Sequence, residues 1–128
     1  MHAKACDIKA LEMITARGDF LKIQSKGRKW VSHGLILQVL ASEDADKKRI
    51  GYTVSKKVSK SAVKRNRIKR RLRAAAADVL PGFAAPGHDY VLVGRPEGAK
   101  RPYATLCEDL KWCLRKMRLE APSDQIRE

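Results

Sequence analysis

No run of apolar residues in this 128-residue chain approaches the roughly 18 that a membrane-spanning helix needs. The N-terminus also lacks the apolar core of a secretory signal. Cysteine is scarce: Cys6, Cys107 and Cys113 form an odd set without a CxxC pair, which builds neither a disulfide framework nor a zinc site. The three histidines, His2, His33 and His88, are scattered and meet no carboxylate motif. Aromatic residues number two Phe, two Trp and three Tyr, and the aromatic signature of an RNA-recognition motif is absent. These absences point to a reduced, cytoplasmic protein with no metal-ligating or nucleophilic constellation of its own.

Acidic residues are missing from one stretch altogether. Lys and Arg total 28 against 14 Asp and Glu, for a net charge of +14. Residues 47–77 hold 13 of those basic residues and no acid, which leaves 15 basic and 14 acidic residues elsewhere. Nearly all the net charge therefore sits in one block of an otherwise balanced chain. Ordinary solvated surfaces mix both signs, whereas a concentrated block creates a field that attracts polyanions.

Hydrophobic patterning divides the chain into elements. Residues 1–14 give no periodic signal and read as an N-terminal extension, and 121–128 read as a frayed tail. Between them, 15–120 form a single domain. A helix is predicted over 16–25, with Phe20 and Ile23 on one face and Gly27 ending it in a left-handed conformation. Strands follow at 29–33 and 35–42, divided by Gly34. A third strand at 49–56 places Ile50, Tyr52 and Val54 on one face and Gly51, Thr53 and Ser55 on the other. A long helix runs from 60 or 61 to 80, capped by Ser59 or Ser61 and stopped by Pro81 and Gly82. A fourth strand covers 89–95. A last helix over 103–118 aligns Leu106, Leu110, Cys113, Leu114 and Met117 in one apolar stripe, which makes Cys113 a small buried residue. The expected fold is α+β, a four-stranded sheet with three helices in the order αβββαβα.

The long helix carries the charge block, and its two faces differ. At 100° per residue, Ile68, Leu72, Ala75 and Val79 cluster within about 60°, a narrow stripe suited to docking on a sheet. Asn66, Lys69, Arg70 and Arg73 project from the far side, with Lys64 and Arg65 flanking the stripe. Arg presents a planar fork for phosphate oxygens, and Lys a mobile point charge. A helix lying on lipid would set Trp or Phe on its apolar face, and none is here. Helix-turn-helix and zipper modules lack such a sheet. The residues alone define a binder of nucleic-acid backbone, RNA favoured; a structural RNA-binding protein and a duplex-DNA module both stay open.

Segment 51–73, GYTVSKKVSKSAVKRNRIKRRLR, resembles the central motif of the protein component of bacterial ribonuclease P. The likeness is tightest at Arg65-Asn66-Arg67 followed by Ile68-Lys69-Arg70. Weaker matches at DFLKIQSKG (19–27), DYVLVGR (89–95) and the C-terminal helix fall in the expected order, so the likeness spans about 15–117. It implies an α/β sandwich in which the Arg/Asn-rich helix enters a left-handed βαβ crossover, against the usual right-handed rule. It also implies one RNA-binding domain at 15–120. That domain would be the protein subunit of an endoribonuclease whose catalytic RNA removes the 5′ leader of precursor tRNA. Mg²⁺ would be bound mainly by the RNA and none by the protein alone, which would supply no catalytic residue. The implied partners are the catalytic RNA and precursor tRNA, with neither a membrane nor an obligate protein partner.

Carried across residue by residue, the resemblance gives RNA contacts to Lys56, Lys57, Lys60, Lys64, Arg65, Asn66, Arg67, Lys69, Arg70 and Arg73. A cleft between the sheet and the first helix would hold the leader, with Phe20, Gln24 and Gln38 facing it. Gln24 and Gln38 stand where many members carry aromatics. Bases stack on aromatic rings for roughly 1–3 kcal/mol each, so leader contacts here would lean on hydrogen bonds and charge. The division of labour suits the chain, because a protein nuclease would need clustered carboxylates or a base beside a nucleophile. The block expected to hold RNA has no acid.

Overall fold

The computed structural model describes residues 11–14, 16–42, 48–85 and 87–117. Its elements in chain order are β1 (Leu11–Met13), α1 (Arg17–Lys26), β2 (Arg28–Val31), β3 (Leu35–Ala41), β4 (Lys48–Thr53), α2 (Ala62–Phe83), β5 (His88–Gly94), a 3-10 turn (Pro96–Ala99) and α3 (Tyr103–Lys116). The strands form one mixed sheet in the order β1-β4-β5-β3-β2. β1–β4 and β4–β5 are parallel, and β5–β3 and β3–β2 antiparallel. Parallel β4 and β5 are neighbours joined through α2, so the basic helix is the crossover of a βαβ unit.

Period-two patterning assigns the two faces of the sheet. Leu35, Leu37 and Val39 of β3, Ile50 of β4, and Tyr90 and Leu92 of β5 point into the main core. Against them pack Ile68, Leu72, Ala75 and Val79 of α2, and Leu106, Leu110, Cys113 and Leu114 of α3. Both helical stripes read from the sequence are thus buried. On the opposite face α1 rests on a much smaller cluster, in which Ile14, Ile23 and Val91 are buried and Phe20, Leu40 and Val93 partly so. The result is three layers: α1, the sheet, then α2 with α3.

Three expectations need correction. The sheet has five strands rather than four, because β1 lies inside the stretch set apart as an extension. Its three residues are too few to show a period. They pair with β4 from Leu11↔Lys48 to Met13↔Ile50, and the Ile14 amide donates to the Ile50 carbonyl at 2.8 Å. Second, α2 passes through Pro81 to Phe83. Proline has a helix-compatible φ but lacks the N–H that would donate to the Ala77 carbonyl, so this turn needs support from elsewhere. That turn is held from outside by the Lys48 ammonium, which donates to the carbonyls of Leu80 (3.1 Å) and Pro81 (2.8 Å). Third, Gly27 is extended, at φ −80°. Glycine is required there by space: a Cβ would lie 2.6 Å from the carbonyl oxygens of both Ile23 and Val39.

Candidate nucleic-acid interface

Helix α2 begins with Ser61, whose hydroxyl accepts from the Lys64 amide at 3.3 Å. The Ser59 hydroxyl accepts from the Ser61 amide at 3.2 Å, so both candidate caps act in succession. The first turn has no acid, and Lys64, Arg65 and Arg67 crowd the end where the helix dipole is positive. Cations there are unfavourable by about 0.3–1 kcal/mol each at low salt. A bound phosphate would reverse that sign and meet free backbone N–H groups as well. This helix start is built at a local cost that a polyanion removes.

The structure sorts the charge block by role. Lys56, Lys57, Lys60, Lys64, Asn66, Arg67, Arg70 and Arg73 are exposed, and Arg65 and Lys69 half-buried. These are the ten residues singled out from the sequence, and all lie on the loop 54–61 or the outward side of α2. Two of them are partly fixed. An Arg65 Nη1 donates to the Ser59 carbonyl at 2.9 Å, and the Arg73 guanidinium lies 5.5 Å from the Tyr52 ring centre. Burial pushes the Tyr52 hydroxyl pKa upward, with Arg73 pulling the other way, so the ring stays neutral beneath its cation.

Other members of the block are withdrawn from solvent. Lys48 is buried at the end of α2. Arg71 turns inward and donates to the Arg101 carbonyl, with its Nε buried and unpartnered among the described residues. Arg49 is held in a fork by Asp89, from Nε at 2.9 Å and Nη2 at 2.7 Å, while Nη1 reaches Asp19 at 3.2 Å. The hydrogen bonds that Arg49 donates to Asp89 raise its pKa further above its ordinary value, against the opposing effect of desolvation. Lys47 lies outside the described residues.

A second feature lies across the sheet. Between α1 and the strands runs a groove of about 560 Å³, lined by Arg17, Phe20, Leu21 and Gln24 of α1, by Gln38 of β3, by Tyr52, Thr53 and Ser55, and by Val91 and Val93 of β5. Phe20, Gln24 and Gln38 therefore come together as expected. Phe20 is also a packing residue, since a Cβ on Gly51 would meet its ring at 2.6 Å. The sequence reading did not place Arg17, Leu21, Tyr52, Thr53, Ser55, Val91 or Val93 in this cleft. The two valines alternate with the buried Tyr90 and Leu92, a signal that was present in β5 but ambiguous in a strand buried on both sides.

The groove and the basic face of α2 lie on opposite sides of the sheet. The segment 54–61 joins them: Ser55 lines the groove, Lys56 and Lys57 are exposed in the next turn, and Ser61 caps α2. The Val58 amide closes that turn on the Ser55 carbonyl at 3.0 Å. A continuous basic track thus runs from the mouth of the groove to the outer face of the helix.

Comparison with known proteins bears on this geometry. The family described as Ribonuclease P matches residues 8–118. The ribonuclease P protein component of Paramagnetospirillum magneticum is 46% identical over 111 residues, covering 84% of this chain and 83% of that protein. The one from Gluconacetobacter diazotrophicus is 49% identical over 100 residues, covering 78% and 85%. Among solved structures, the RNase P protein of Staphylococcus aureus superposes with a TM-score of 0.70 at 23% identity, covering 84% of this chain and 95% of that one. The chain belongs to the ribonuclease P protein family.

Proposed function

We propose that this member of the family serves as the RNA-binding protein subunit of ribonuclease P in the cytoplasm. In this reading the exposed side of α2 grips the catalytic RNA, and the groove beside α1 receives the single-stranded 5′ leader of precursor tRNA. The observation that carries it is the joined pair of surfaces, an acid-free basic face and a groove of mixed polar and apolar lining, connected through Lys56 and Lys57.

The chemistry divides accordingly. The nine Lys and Arg side chains neutralise phosphate where two RNA molecules approach each other, and Arg forks fix their register. Asn66 adds a donor and an acceptor among the cations. In the groove, Gln24 and Gln38 offer hydrogen bonds to base edges or sugar hydroxyls, and Phe20 presents part of its ring. The leader is cut at the catalytic RNA, where Mg²⁺ is held by RNA phosphates; no residue of this chain takes part in bond breaking.

Leader length tests the proposal. The assembled ribonucleoprotein should bind precursor tRNA with a leader of several nucleotides more tightly than the same tRNA with its leader removed. That difference should disappear when the catalytic RNA acts without the protein. Equal affinity for both substrates in the presence of the protein would remove the groove from the account.

A further inference from the structure

Helix α1 supplies one wall of the groove but has little apolar anchorage. Ile23 is its one buried residue, and the cluster beneath it is small beside the core under α2 and α3. The remaining fixed link to the sheet is polar. Asp89, on β5, is only 5% exposed and forms a rigid base. Arg49 takes both of its oxygens, and the third guanidinium nitrogen crosses to Asp19 in the first turn of α1. With all three nitrogens engaged, Arg49 is not among the cations offered to RNA. The guanidinium instead ties a lightly anchored helix to the centre of the sheet.

We infer that Asp19 and Arg49 are positioning residues for the leader: the bridge from Asp19 through Arg49 to Asp89 fixes the angle of α1 and so the width of the groove. Neither side chain lines the groove; they act through Phe20 and Gln24, which α1 carries. The inference rests on the reading of the groove as the leader site. Locating the control at Asp19 separates it from the fold, because Asp19 is half-exposed, whereas losing Arg49 would strand the buried Asp89 carboxylate.

Asp19→Asn and Asp19→Ala therefore cut only the α1 end of the bridge and leave the Arg49–Asp89 fork in place. The measurement is the ratio of dissociation constants for leaderless and leader-bearing precursor tRNA, taken with the assembled ribonucleoprotein, alongside affinity of each protein for the catalytic RNA. Both variants should lower the ratio, by up to about fivefold as expected for a half-exposed ion pair, with catalytic-RNA affinity within about twofold of the original protein. Asp19→Glu, which keeps the charge, should restore part of the ratio. Amide hydrogen exchange in α1 should quicken in the first two variants. An unchanged ratio in both, with the original protein showing leader dependence, would overturn the inference and leave the groove reading standing. An equal fall in catalytic-RNA affinity would overturn it too, as a sign of general destabilisation. A ratio near one in the original protein would defeat the groove reading itself.

Discussion

Arg49 and Arg70 carry the same side chain into opposite surroundings. Arg49 has a carboxylate on each edge of its guanidinium, whereas Arg70 is exposed on an acid-free helix face. Under the proposed function, only the second kind would contribute to counterion release on binding RNA. Arg70→Ala, and likewise Lys69→Ala, should weaken binding to the catalytic RNA and flatten its dependence on salt by up to about one phosphate contact's worth of slope. Titrations across a salt series read this directly, and an unchanged slope in both variants would mean that the face is only solvated. Cys113 is a buried free thiol on the core side of α3. Desolvation pushes its thiol pKa from an ordinary 9.0 up to about 11. The unfolded chain thus loses this proton first as pH rises, and the thiol draws stability down between those two values. Denaturant melts should show falling stability over that range, with a shallower fall in Cys113→Ala.

At the scale of elements, α2 is secured at both ends by groups far apart in sequence. Removing the cap with Ser61→Ala should cost about 1 kcal/mol. Lys48→Met should cost about 1.5–3 kcal/mol, since its ammonium holds two carbonyls of the last turn. Urea unfolding measures both, and a neutral Lys48→Met would contradict the capping role. Much of this element was legible beforehand: the apolar stripe, the Ser cap and the outward cations follow from spacing alone. The continuation through Pro81 was not, because it depends on a lysine 33 residues away in sequence. For the same reason the block of 13 basic residues looked uniform until Lys48, Arg49 and Arg71 were seen turned inward. Sequence order carries no information about which carboxylate or carbonyl a long side chain will reach.

For the whole molecule, the three layers place the basic face of α2 on one side of a single sheet and the groove beside α1 on the other. Alternation at 49–56 announced a half-buried strand, and the motif around Arg65-Asn66-Arg67 announced the family. The groove was visible only through the family likeness, since its lining comes from four separate elements. β1 escaped notice because three residues cannot display a period, yet Ile14 just after it helps to seat α1. Under the proposed function, this layering would let one small domain engage two RNA segments, with the sheet between them and the loop 54–61 joining the two surfaces. Shortening the leader should therefore affect binding at the groove without altering the affinity of α2 for the catalytic RNA.

Under the proposed function this chain assists an RNA catalyst and leaves the cutting to it. Reconstitution with the cognate catalytic RNA at low Mg²⁺ tests it most directly, with precursor-tRNA cleavage followed for protein alone, RNA alone and the two together. The account predicts no cleavage by rigorously RNA-free protein, weak cleavage by the RNA alone, and efficient release of the 5′ leader by the pair. Cleavage by the protein alone, or a catalytic RNA indifferent to its presence, would contradict it.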